Sequence, residues 1–187
     1  LGSHTGATAY GNDGADVLVG GASPGAQFLY GAGGADTLFG GAGVGNRLFG
    51  GGGDDTLFGE AGAGQIVSGN TGNDWLSAGA GASQALYGGK GNDTLAGGTG
   101  TTQTLNGDLG NDSLTAGGGT GQTLNGDRGN DTIAGGAQID VLNGDNGNDT
   151  IMGGAGADLI FGDYGNDTMF GNMPDMVTGL DVSDGAF

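Results

Sequence analysis

Cysteine is absent from this chain of 187 residues, which removes both a disulfide framework and any thiolate metal site. Positive charge is nearly absent too: Lys and Arg together number 3, against 21 Asp and Glu. Nucleic acid and anionic lipid surfaces are recognised through basic patches, so neither is an expected partner. The only histidine is His4, in an N-terminal Gly2-Ser3-His4 stretch that resembles the remnant of a cleaved affinity tag. Nucleophilic catalysis needs a base held beside a Ser, Thr or Cys, and zinc chemistry needs its nitrogen or sulfur ligands. The reading is therefore not an enzyme. No run approaches the ~18 apolar residues of a membrane span, and LGSHTGATAY shows neither the basic nor the apolar region of a signal peptide.

What the chain has is glycine, 51 residues of it, and a formal net charge of −18. Collagen is excluded, because the glycines keep no three-residue period and there are only 2 prolines. Apolar residues come singly rather than in amphipathic runs, so a conventional globular core is not expected. The organising stretch is GGKGNDTLA, Gly88 to Ala96. Its first six residues suit a tight turn, since glycine reaches positive φ freely. Thr94-Leu95-Ala96 suits a very short strand with one side chain pointing inward. The turn exposes carbonyl oxygens and Asp93 adds a carboxylate, hard donors that suit calcium.

The pattern recurs along the whole chain. Its inward positions are Leu18, Leu29, Leu38, Leu48, Leu57, Val67, Leu76, Leu86, Leu95, Leu105, Leu114, Leu124, Ile133, Leu142, Ile151, Ile160 and Met169. The first interval is 11 residues; intervals of 9 and 10 then alternate to Leu124, and 9 holds thereafter. GGKGNDTLA is a full match to GGxGxDxUx, U being a large apolar residue, and the chain resembles the RTX (repeats-in-toxin) family over residues 11–171. The resemblance implies an all-β fold, a right-handed parallel β-roll (a β-helix or solenoid) of about 8.5 coils, each with two short strands and with calcium between successive turns. It also implies a chain that leaves a low-calcium cytoplasm unfolded by type I secretion and folds outside or at the cell surface. Residues 1–10 form an N-terminal flank and residues 172–187 a tail. In that tail Met173, Met176, Val177, Leu180, Val182 and Phe187 are placed to cap the last coil, after a break at Pro174.

With two turns per coil, alternate turns stack along opposite edges. One edge carries Asp16, Asp36, Asp55, Asp74, Asp93, Asp112, Asp131, Asp149 and Asp167. Stacked about 4.8 Å apart, these carboxylates repel unless cations lie between them, so each is a candidate calcium ligand. Main-chain carbonyls of the turns supply further donors: Gly88, Lys90 and Asn92; Gly107, Leu109 and Asn111; Gly126, Arg128 and Asn130; Gly144, Asn146 and Asn148. The other edge reads Gln27, Asn46, Gln65, Gln84, Gln103 and Gln122 in longer turns, and only then Asp140 and Asp158. Neutral amides stack without an ion and are expected to bond to one another as a ladder. That distribution gives about eight calcium ions on one edge and one on the other.

Two surface features bear on partners. Thr37, Thr56, Thr94, Thr132, Thr150 and Thr168 form an outward row, explained by the strand preference of threonine, with ice or polysaccharide docking as the alternative. The third turn position, from Asp13 and Gly33 through Lys90 and Leu109 to Tyr164, is too irregular for lattice matching. Tyr30, Phe39, Phe49 and Phe58 mark either an exposed patch for self-association or another domain, or packing under a cap. The leading expectation is a calcium-binding spacer or scaffold roughly 40 Å long in an adhesin, S-layer or toxin-like protein.

Overall fold

Between two glycine-rich turns there is room for three extended residues, and strand alternation sends the middle one to a single face. A computed structural model describes residues 6–22, 25–172 and 174–179 and has this arrangement throughout. Gly2, Ser3 and His4, with Met173, Leu180, Val182 and Phe187 of the tail, lie outside the described residues. Among the described residues there are nineteen strands and no helix. Each strand pairs with the strand two places along the chain, which gives a ten-stranded and a nine-stranded sheet. Pairing is parallel, as in Leu76↔Leu95↔Leu114 on one sheet and Leu86↔Leu105↔Leu124 on the other. Successive strands thus alternate between two sheets, and the molecule is a parallel β-roll.

The core is a double column one side chain wide. Every residue of the apolar period from Leu18 to Ile160 is buried, and Met169 packs against them half-covered. The smaller sheet keeps three-residue strands such as Thr94–Ala96. The larger sheet departs from that expectation. Strands such as Phe28–Gly33, Ala85–Lys90 and Thr104–Leu109 run six residues, through the first three positions of the following turn. Register survives there because the second turn position adopts a left-handed backbone in coil after coil, with φ of 110° at Gly89 and 70° at Asp108. Farther along, the same pairing persists as single bridges linking Leu109, Arg128, Asn146 and Tyr164.

Met176–Thr178 adds edge-on to Leu159–Phe161 as the last strand of the larger sheet, although Met176 and Val177 remain exposed. Aromatic residues stack along the outside of the roll, and Tyr10 and Trp75 among them remain exposed. Tyr10, Tyr30 and Phe49 lie with ring centroids 5.1 and 5.0 Å apart on one sheet. On the other, Phe39 stacks on Phe58 at 4.8 Å, and Trp75 meets Phe58 edge-on at 5.1 Å. The threonine row is in register from Thr94 through Ser113, Thr132 and Thr150 to Thr168, and Trp75 interrupts it toward the N-terminal coils.

Candidate metal centre

The sixth turn position precedes the strand, so its side chain falls on the same inward face as the apolar residue two places later. Asp36, Asp55, Asp74, Asp93, Asp112, Asp131 and Asp149 are accordingly 1–2 % exposed. Each is held by one hydrogen bond of fixed pattern: the backbone N–H of the aspartate one coil earlier donates to its Oδ1. From Asp16 donating to Asp36 through to Asp149 donating to Asp167, these bonds span 2.7–2.9 Å. The second oxygen is different. Oδ2 of Asp16, Asp36, Asp55, Asp74, Asp93, Asp112, Asp131 and Asp149 is buried without a hydrogen-bond partner. A buried anionic oxygen left unpaired is costly, and a row of them calls for cations.

The other edge repeats this only near its C-terminal end. Oδ1 of Asp140 accepts the Gln122 N–H at 3.2 Å, Asp158 accepts that of Asp140 at 2.9 Å, and Oδ2 of both is buried and unpartnered. The column has a third member that the sequence reading missed: Asp175 Oδ1 accepts the Asp158 N–H at 3.1 Å. It sits 17 residues after Asp158, one short of the coil period and beside Pro174, so counting by eighteens passes over it.

The amides of this edge are buried too, at 0–7 % for Gln27, Asn46, Gln65, Gln84, Gln103 and Gln122. The expected amide-to-amide ladder is not what they make. Their nitrogens donate to main-chain carbonyls instead, because the glutamine stem carries the amide past its neighbour and into the turn. An amide ladder does form where it was not expected, on the outer face, from Asn143 to Asn125 to Asn106 at 2.5 and 2.6 Å.

Among the proposed carbonyl donors, Lys90, Leu109, Arg128 and Asn146 already accept a cross-coil N–H at 2.8–2.9 Å, which leaves each a second lone pair. The fifth-position residues Asn92, Asn111, Asn130 and Asn148 have a further role. Their side-chain Oδ1 atoms each accept the N–H of the equivalent residue one coil later, at 2.7–2.8 Å. The first-position glycines bring the backbone closest to the carboxylates. A Cβ on Gly107 would lie 2.4 Å from Asp112 Oδ2 and 2.8 Å from the Gly126 carbonyl oxygen. Gly88 and Gly126 stand in the same relation to Asp93 and Gly107, and to Asp131 and Gly144.

Burial raises the carboxyl pKa of Asp74, Asp112 and Asp131 to about 7. It raises those of Asp55, Asp93, Asp140 and Asp149 to about 6. The backbone N–H on Oδ1 works against the rise, and repulsion from neighbouring aspartates adds to it. A second acidic row, also missed in the sequence, lines the outside of the larger sheet. Asp108, Asp127, Asp145 and Asp163 occupy the left-handed second turn position, at φ 62–70°. Aspartate tolerates that conformation better than most residues, which is how it can replace the second glycine of the motif.

The model for the RTX calcium-binding nonapeptide repeat matches residues 10–44, 45–66, 64–82, 68–103, 98–120, 123–142 and 143–173. The chain belongs to the RTX nonapeptide-repeat family. Comparison with curated proteins gave no match. RTX repeats bind calcium, and the residues here fit that ion: a hard, oxygen-only donor set built on carboxylates whose second oxygens are buried and unmet. Among the described residues no three acidic side chains converge on one point. Stacked pairs of aspartates are what this RTX roll supplies, and the turn carbonyls beside them are the further oxygens that a cation there would draw on. The first-position glycine keeps both within reach of one point. Gly107→Ala is expected to lower calcium affinity and melting temperature together in calcium buffer, because the new methyl displaces both Asp112 Oδ2 and the Gly126 carbonyl. A melting curve and calcium isotherm matching the parent protein would contradict it.

Proposed function

We propose that this roll is a calcium-folded spacer in a secreted or cell-surface bacterial protein, a stiff segment rather than a catalyst. The observation that supports it is the unbroken file of buried, unpartnered Oδ2 atoms from Asp16 to Asp149. In this reading one calcium ion lies in each interval of the column that ends at Asp167. Two more lie between Asp140, Asp158 and Asp175 on the opposite edge, for about ten ions in all. The carboxylates are assisted by the carbonyls of Gly88, Lys90 and Asn92 and of their equivalents in the following coils. An extracellular setting, where calcium stands near millimolar, is where such weak sites fill. An adhesin, S-layer or toxin-like parent chain is the context in which a spacer of this kind is useful.

Metal analysis of the gel-filtered protein in 2 mM calcium, paired with small-angle scattering, tests this. The expected result is eight to ten calcium ions per chain and an elongated particle. One or two ions, or a scattering curve independent of calcium, would overturn it.

A further inference from the structure

The two edges solve one problem in two ways. On the aspartate edge, the gap between successive turns holds an unmet Oδ2. On the other edge the same gap holds a carboxamide nitrogen. Asn46 makes the comparison atom for atom. Its Oδ1 accepts the Gln27 N–H at 2.8 Å, as each aspartate does from its predecessor, but its second terminal atom is a nitrogen that donates to the Gly40 carbonyl. Gln84 joins two coils with the roles of its atoms exchanged, the nitrogen reaching back. Its Oε1 accepts the Gly79 N–H at 2.8 Å in its own turn, while Nε2 donates to the Glu60 and Gly62 carbonyls of the coil before, both at 2.8 Å. Gln103 repeats the pattern on Gly98, Gly79 and Gly81.

The turns are reshaped to allow this. Each is a residue longer than an aspartate turn, and the residue just before the amide is left-handed: Gly45, Gly64, Ser83, Thr102 and Gly121, at φ 54–71°. Threonine is strained there, being β-branched, so at Thr102 the backbone tolerates a cost in order to aim Gln103 inward. In the next turn of this edge Asp140 replaces the amide and the spacing returns to nine residues.

We propose that the amide nitrogens of Asn46, Gln65, Gln84, Gln103 and Gln122 stand in the cation's place on this edge, as covalently tethered, charge-neutral substitutes for calcium. The inference rests on the reading of the opposite edge as the calcium edge. A neutral N–H donor satisfies the inward carbonyls that a cation would otherwise draw together, and it brings no carboxylate that needs neutralising. The roll thereby has one seam set by calcium concentration and one that, from Asn46 to Gln122, is not, and its N-terminal two-thirds takes up half the calcium of a roll with aspartate on both edges.

Two substitutions at one position test it. Gln84→Glu replaces the donor nitrogen with an anionic oxygen facing the Glu60 and Gly62 carbonyls, in a site 1 % exposed. It is expected to bind one more calcium ion per chain than the parent protein. Its melting temperature should fall at limiting calcium and recover at saturating calcium. Gln84→Met keeps the volume but removes both donors; it should melt several degrees lower at every calcium concentration, with unchanged stoichiometry. Asn46→Asp, a change of one terminal group, repeats the first test with least disturbance and should likewise gain calcium dependence. If Gln84→Glu and Asn46→Asp gain no ion and lose stability equally at low and high calcium, the amides are ordinary packing groups and the inference fails. A parent protein that binds no calcium would instead remove the reading of the aspartate edge, a result visible before any substitution is made.

Discussion

Stripped of divalent cations at pH 7.5, the chain is expected to lose its far-UV β-sheet spectrum and to recover it on addition of millimolar calcium. The seven carboxylates from Asp36 to Asp149 on one edge are almost fully buried. At coil spacing, neighbouring charges repel by about 3 kcal/mol even at an effective dielectric of ~20. Each coil offers in return only two apolar side chains, such as Leu86 and Leu95, to offset the ordering of some eighteen glycine-rich residues. A site with Kd of ~0.1 mM in ~1 mM calcium adds about 1.4 kcal/mol, so the ions matter through their number. Folding and metal binding should therefore titrate together as one cooperative transition. A β spectrum that survives chelation, with metal analysis confirming an empty protein, would show that the ions are incidental to the fold.

Acid should partly replace calcium. In the metal-free roll, carboxyls that titrate near 4 when unfolded are raised to about 6 at Asp55, Asp93, Asp140 and Asp149, and to about 7 at Asp74, Asp112 and Asp131. The folded state thus binds more protons than the unfolded state between about pH 4 and 7. Its stability from these groups is fully present below about 4 and disappears as pH rises through 6 to 7. Lowering metal-free protein from pH 7.5 to 5 should restore β structure, while calcium affinity falls over the same interval as protons compete for Oδ2. Circular dichroism at micromolar protein, with light scattering to exclude aggregation near the pI of 4.1, reads the first effect. Calorimetric titration at pH 5 and 7.5 reads the second. A metal-free chain equally disordered at both pH values would contradict the burial of these aspartates.

Much of this was legible in the residues. A period of nine or ten with one apolar side chain per repeat marks a repeat architecture, the RTX resemblance implied the parallel roll, and Leu95 and Leu105 lie where the period puts them. The aspartate column followed from the same count, since a residue two places before an inward one faces inward as well. What escaped was whatever depends on reach rather than on spacing. Gln84 and Asn46 occupy the same place in the period, yet one methylene separates an amide nitrogen that donates within its own turn from one that donates to the coil before. Asp175 escaped because the chain shortens by one residue before it, and Asp108 because a turn position that usually needs glycine conceals an acidic row.

The opposed hydrogen bonds of the aspartate and asparagine files have a consequence for how such a chain can change in length. Asp93 Oδ1 receives from the coil before it, whereas Asn92 Oδ1 receives from the coil after it, so adjacent coils are latched in both directions. Removing or inserting one whole coil, nineteen residues in the middle of the roll and eighteen beyond Asp131, returns each latch to an equivalent partner. Nine residues would instead set a carboxylate beneath a carboxamide at the junction and exchange the two edges in every coil that follows. Growth and shrinkage of the molecule are for that reason quantised in whole revolutions, and the two seams together keep the count.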